Sequence, residues 1–229
     1  MKKYLLSLFL TSQVFAIGGI GVYGMSDMVS RTPSATSDDL GLTTMTPGEI
    51  ANHVGVGGFV YLDILPIDIE LSAEVAAIPY NITIDAAGLS TTYDVAAARG
   101  SLYFTLRKQI FGVGIPFLAK AQLFGGLGVN QHSVTPDYSI QFIESTFSNM
   151  DIEEAANQDF SNDAVFDQLK ATMDAQQIES SGFHVQLGMQ AKILMLNMFV
   201  NGRYTIANDV AGPGSTGFPS AWVGLAFGI

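Results

Sequence analysis

Residues 67–75 alternate without a break: Ile67, Ile69, Leu71, Ala73 and Val75 fall on one face of an extended strand, and Asp68, Glu70, Ser72 and Glu74 on the other. Two faces so unlike need two different environments. A soluble sheet sets the apolar face against a protein core, a strand in a membrane sets it against lipid, and the segment by itself suits both. The choice falls to the rest of the chain.

Apolar residues are abundant but dispersed. They make up 48% of the 229 residues, with only 14% charged, yet no run reaches the 18 or so that a membrane-crossing helix requires. A formal charge of −11 excludes a nucleic-acid partner, because phosphate backbones are bound by clustered Lys and Arg. Cysteine is absent, and with it any disulfide, thiolate metal site or lipid-bearing thiol. At the start, Lys2 and Lys3 precede an apolar run over 4–10, then Thr11-Ser12-Gln13 and Val14-Phe15-Ala16. This order predicts a signal peptide over 1–16, cleaved after Ala16, and a mature domain over 17–229.

The alternation recurs. Strands are expected over 17–26, 53–63, 67–79, 100–109, 117–131, 182–192, around 197–206, and in a last segment running to Ile229. Residues 27–49 read as a Ser/Thr/Pro/Asp-rich loop, and 81–98 as a polar connection whose Ile82, Ile84, Tyr93 and Val95 are placed to continue the flanking strands. Residues 133–180 form the longest and most acidic insertion. In it Ser161 or Asn162 is placed to cap one helix carrying Val165, Phe166, Leu169 and Met173 on a single face. The links after strands two, four and six are tight and the others long, so loop lengths sort by end.

That sorting, the even strand number and the alternate apolar positions Ala221, Val223, Leu225, Phe227 and Ile229 resemble the small eight-stranded outer-membrane β-barrel proteins of Gram-negative bacteria. Val223, Leu225, Phe227 and Ile229 are similar to the C-terminal signal that the barrel-assembly machinery reads in that family. The family usually ends on an aromatic residue, whereas here the aromatic lies two places earlier, at Phe227. The resemblance implies an all-β fold, a closed antiparallel up-and-down transmembrane β-barrel of about eight strands with one long helical extracellular insertion at 133–180. It implies a monomer in outer-membrane lipid, with short periplasmic turns, a narrow polar lumen and no cofactor. Its role would be structural, or surface interaction and adhesion, through long acidic loops that meet an extracellular partner.

Motifs for chemistry are few. Gly19-Ile20-Gly21-Val22-Tyr23-Gly24 has GxGxxG spacing, but a phosphate loop needs a strand before it and a helix after it. Glycine in strands more often lets side chains pack closely. Of the three histidines, His53, His132 and His184, only His132 has a hydroxyl beside it, on Ser133, with Asp137 or Glu144 as an orienting acid. That set defines the alternative of a lipid-A-modifying hydrolase, although neighbours on a strand point to opposite faces. A secreted β-sandwich or lipocalin-like carrier is the other alternative. No DxDxDG-type calcium loop or other metal motif is present.

If the apolar faces meet lipid, the pleat sends Asp68, Glu70, Glu74, Arg107, Lys120, His184, Gln186 and Arg203 inward as a lumen charge network. Distance from the tight turns groups Asp68, Arg107 and Lys120 in one layer and sets Glu74 against Arg203 in another. Isolated charges in a narrow interior are costly, so these groups are expected to pair.

Overall fold

The computed structural model describes residues 18–63, 67–115, 118–147 and 163–228; the signal peptide expected over 1–16, the helix cap at Ser161 or Asn162 and the terminal Ile229 lie outside them. In chain order the strands are β1 Gly18–Asp27, β2 Ser30–Arg31, β3 Thr36–Ser37, β4 Thr43–Pro47, β5 Ile50–Ala51, β6 Val54–Leu62, β7 Asp68–Ala86, β8 Leu89–Ile115 and β9 Ala119–Val134. Helices α1 Ile140–Phe147 and α2 Asp163–Gln176 follow, then β10 Ile178–Ile193, β11 Leu196–Ile206 and β12 Phe218–Gly228. The eight long strands pair antiparallel in the order β7-β6-β1-β12-β11-β10-β9-β8, and β8 pairs back onto β7. They make a ring of hydrogen-bonded strands in which each has two neighbours.

Pleating decides which way every side chain points. Outward positions carry Val22, Val56, Leu71, Leu102, Leu127, Phe183, Leu187, Val200 and Leu225, all exposed, whereas Asp27, Glu70, Glu74, Arg99, Arg107 and Arg203 point inward and are buried. Val56 is 69% exposed and Glu74 only 3%. This reverses the distribution of a soluble sheet.

The glycines of the GxGxxG run lie in β1, and their register explains them. Gly19, Gly21 and Gly57 are the cross-strand partners of Tyr61, Phe59 and Tyr23, and Gly188 is the partner of Phe124. A Cβ on Gly21 would stand 2.6 Å from Phe59 Cζ, and one on Gly57 2.6 Å from Tyr23 Cε1. Each missing side chain is the space into which the opposite ring lies. The rings so admitted, Tyr23, Phe59, Tyr61 and Phe124, join Phe199 and Trp222 in one buried cluster within the ring.

Three stretches depart from the expectations. Residues 81–98 are not a loop but the upper part of the β7–β8 hairpin, whose register runs unbroken to Ala86 and Leu89. The two-residue turn is Ala87-Gly88, both at positive φ (51° and 83°), the conformation that matches the twist of a hairpin. The 27–49 loop contains β2, β3 and β4, and β4 pairs with the outer edge of β7 from Ile82 to Ala86. Among its described residues the insertion carries two helices, α2 over the expected Val165, Phe166, Leu169 and Met173, and α1 where none was expected. Gln176 Nε2 in α2 donates to Ser145 Oγ in α1 at 2.8 Å, and Leu169 and Met173 are half-buried.

Above the rings of the interior the inward residues turn apolar. Ile78, Tyr80 and Ile82 of β7 pack with Met45, Ile50, Val134, Ile140 of α1, Val210 and Phe218 in a second buried cluster at the loop end. Arg31 fastens this cap by donating both terminal nitrogens to Asp137, at 2.6 Å each.

The glycine register gives a stability test. Gly57→Val is expected to displace the Tyr23 ring and cost about 1–3 kcal/mol in urea unfolding of the detergent-solubilised protein. Gly58→Ala, whose Cβ would meet only Gly21 O at 3.7 Å, should leave the midpoint unchanged.

Candidate functional site

The densest polar constellation sits inside the ring, and its centre is Glu74. Successive inward positions of β7 read Asp68, Glu70, Ser72, Glu74, Ala76, Ile78, Tyr80 and Ile82, so Glu74 is the last charge before the apolar cap. Its Oε2 accepts from Arg203 Nη2 at 2.6 Å and Tyr23 Oη at 2.9 Å. Its Oε1 accepts from Arg99 Nη2 at 2.9 Å and Tyr103 Oη at 3.2 Å. Four donors from β1, β8 and β11 thus saturate one carboxylate on β7.

The network runs on toward the loop end. Arg99 Nη1 donates to Asp27 Oδ2 at 2.5 Å, and His53 Nδ1 lies 3.4 Å from the same oxygen. Arg203 stacks over Tyr103, 3.5 Å from the ring centre, and Arg99 over Phe218 at 4.8 Å. The three histidines, scattered in sequence, are all buried inside the ring. His132 Nδ1 meets Ser101 Oγ at 2.9 Å and its Nε2 meets Asn130 Oδ1 at 3.0 Å, while His184 Nε2 meets Thr105 Oγ1 at 2.9 Å.

A second group lies nearer the tight turns. Arg107 donates to Glu70 Oε2 at 3.1 Å and Asp63 Oδ1 at 3.3 Å, and its guanidinium faces Phe124 at 4.9 Å. Asp63 stands just past the end of β6. Burial pushes its carboxyl up to about 6, the Asp68 carboxylate adds to this and Arg107 opposes it. Below these groups, Gln122 Nε2 donates to Gln190 Oε1 at 2.7 Å, and Gln190 Nε2 to Asn197 Oδ1 at 2.8 Å.

Of the residues expected inside, Glu70, Glu74, Arg107, His184, Gln186 and Arg203 are buried there. Lys120 is exposed. It has the inward parity, but as the second residue of β9 it stands at the rim, where the interior opens to solvent. Asp68 is buried as well and is the register partner of Arg107, whose guanidinium donates its hydrogen bonds to Glu70 and Asp63. Two members of the Glu74 network, Asp27 and Arg99, were not among the expected residues. Both continue a strand's inward parity past its expected end, Asp27 after Tyr23 and Met25, and Arg99 before Ser101 and Tyr103.

The hydrolase set is taken apart by the same pleat. His132 is buried, whereas Ser133 points the other way and accepts from Gln177 Nε2. Asp137 is bound to Arg31, and Glu144 lies exposed on α1. Val223, Leu225 and Phe227 are exposed on the outer face of β12. Among the described residues no group of three or more His, Cys, Asp or Glu is placed to hold a metal ion. With all its lone pairs engaged, the Glu74 carboxylate is a clamp that joins four strands, not a base open to a ligand.

Deleting one member of this clamp should leave buried charge uncompensated, at a cost of about 3–5 kcal/mol. A double-mutant cycle on Glu74→Gln and Arg203→Met, read by urea unfolding in detergent, is expected to show a coupling of about 0.5–3 kcal/mol. Simple additivity would show that the 2.6 Å contact couples nothing.

No protein-family model and no curated relative matches the sequence. Among solved structures the chain is similar to Neisserial surface protein A, with a TM-score of 0.45 and 8% identity over 92% of this chain and 97% of that one. It is similar also to the outer membrane protein OprG from Pseudomonas aeruginosa, with a TM-score of 0.44 and 13% identity over 94% and 96%. A third is Ail, the attachment invasion locus protein of Yersinia pestis, with a TM-score of 0.44 and 9% identity over 92% and 96%. Each of these similarities extends over at least 92% of this chain.

Proposed function

We propose that the chain is an outer-membrane protein, a closed β-barrel with a plugged interior whose function lies in surface interaction through its loop end. The observation that carries this reading is the inversion of the ring. Leu71, Val75, Phe104, Leu127, Phe183, Leu187 and Val223 stand exposed around its outside while arginines and carboxylates fill its inside. In water each such side chain would forgo about 1.5–3 kcal/mol of burial, and a belt of them calls for hydrocarbon. A ring of strands without free edges is also the one β architecture that satisfies its backbone in lipid.

The interior supports a plug and not a passage. Aromatic rings, the Glu74 clamp and the apolar cap succeed one another along the axis, and eight strands leave room for little more than side chains. Exposed acids, among them Asp39, Glu49, Asp85, Asp94 and Asp174, stand in the links between the short strands, on the hairpin and on α2, away from the belt. Contact with another molecule then falls to the loop end, as surface interaction or adhesion.

Fractionation of expressing cells is expected to find the protein in the outer membrane, released by detergent and shifted on a gel by heating. Leu187→Arg should impair insertion, since a cation at the lipid face costs about 2–4 kcal/mol near the midplane. A soluble, folded Leu187→Arg protein would overturn the reading.

A further inference from the structure

The β7–β8 hairpin climbs beyond the ring, and one of its edges has no neighbour. On that side β8 pairs with β9, which ends at Val134 opposite Arg99. The last links are Thr135 N donating to Ala98 O at 2.9 Å and Ala98 N donating to Thr135 Oγ1 at 2.8 Å. Above them residues 89–97 keep β7 on one side, and among the described residues no strand pairs with the other. Alternate residues of a strand direct their N–H and C=O groups to opposite edges. Ala98 directs both away from β7, and with no register shift between β7 and β8, so do Ala96, Asp94, Thr92 and Ser90.

Folded proteins blunt such edges with lysines, prolines, bulges or short strands. The opposite edge of the same sheet follows that rule, since it ends in the two-residue β3. The β8 edge carries none of these, and its one charge is Asp94. Beside it, on the face shared with Ile82 and Ile84, Tyr93 and Leu89 are 51% and 76% exposed.

We propose that this edge takes up an extended segment of a partner protein as an added antiparallel strand. The segment bonds to the backbone of Ser90, Thr92, Asp94 and Ala96, lays alternate apolar side chains over Leu89 and Tyr93, and sets a basic side chain toward Asp94. The proposal rests on the outer-membrane reading, because that orientation excludes a second copy as the occupant. In two copies inserted the same way, β8 descends from the tip in both, so a two-fold axis along the membrane normal faces like edges in parallel, donor against donor.

The test uses the full-length protein in detergent micelles and, as probe, the peptide Lys-Val-Thr-Val-Thr-Val-Thr-Val-Lys. Amide exchange followed by NMR is expected to show new protection on peptide binding at Ser90, Thr92, Asp94 and Ala96, and none at Thr91, Tyr93 and Val95, which are already bonded to β7. Thr92→Pro, which removes an outward N–H, should weaken peptide binding at least about tenfold, while Thr92→Ala should bind as the parent does. Equal binding by Thr92→Pro, or peptide binding without the alternating pattern, would overturn the proposal. So would protection of those amides in the free monomer, which means that the chain covers its own edge, or peptide-free protection that grows with protein concentration, which means a second copy. Failure in micelles of a protein that fractionates to the outer membrane condemns the edge alone; failure of fractionation condemns the membrane reading.

Discussion

The structure depends on one buried anion. Glu74 is bound by two arginines and two tyrosines from three other strands, so its carboxylate exists inside the ring only while β1, β7, β8 and β11 stay together. A carboxylate stripped of water without donors would be prohibitively costly, and the arginines would be as badly off without it. The opposed charges therefore act on the assembly as a whole. Glu74 and Arg203 are 129 residues apart in sequence, with three of the eight long strands, β8, β9 and β10, lying between theirs along the chain, so their contact forms only once distant parts of the chain have come together.

The same pleat that turns Glu74 inward turns Ala73 and Val75 outward, so the charged interior and the apolar exterior are one property seen from two sides. What fills the interior between charges is then decided by register. Strands that carry inward glycines, β1 with Gly19 and Gly21 and β6 with Gly57, lie beside strands carrying inward rings at the paired positions. Large side chains on both strands would not fit in a ring of eight, and small ones on both would leave voids. The pairing of glycine with Tyr23, Phe59 and Tyr61 resolves that conflict and leaves the rings beside the arginine guanidinium groups.

Strand identity and face were legible from sequence wherever alternation is strict, as at Ile69, Leu71, Ala73 and Val75 or Phe183, Val185 and Leu187. Strand ends were not. The 81–98 stretch reads as a loop because Asn81, Thr83 and Asp85 on one strand face Asp94, Thr92 and Ser90 on the other, giving a polar outer face to a hairpin that rises beyond the eight-stranded ring. Its turn, Ala87-Gly88, lacks the usual Asn-Gly or Asp-Gly signal. Asp27 and Arg99 were missed for a related reason: each lies at an end where apolar alternation fades although parity continues. Tertiary reach decided the rest. Arg107 and Asp68 are adjacent across the strands, but a long guanidinium meets Glu70 and Asp63 instead, and no spacing rule in the sequence encodes that choice.

The distribution of charge then bears on what the molecule can meet. Among the described buried side chains, Asp27, Asp68, Glu70 and Glu74 stand against Arg99, Arg107 and Arg203, so these groups account for only one unit of the formal charge of −11. Exposed acids at the loop end, including Asp39, Asp85, Asp94 and Glu179, outweigh nearby bases such as Lys170. An acidic surface of this kind speeds the approach of cationic partners and repels anionic ones over roughly one Debye length, about 8 Å at physiological salt. At closer range the field gives no register, and a directional contact must come from the groups that stand in fixed rows. At the loop end those are the backbone amides and carbonyls of the β7–β8 hairpin, held in place by its unbroken register down to the clamp at Glu74.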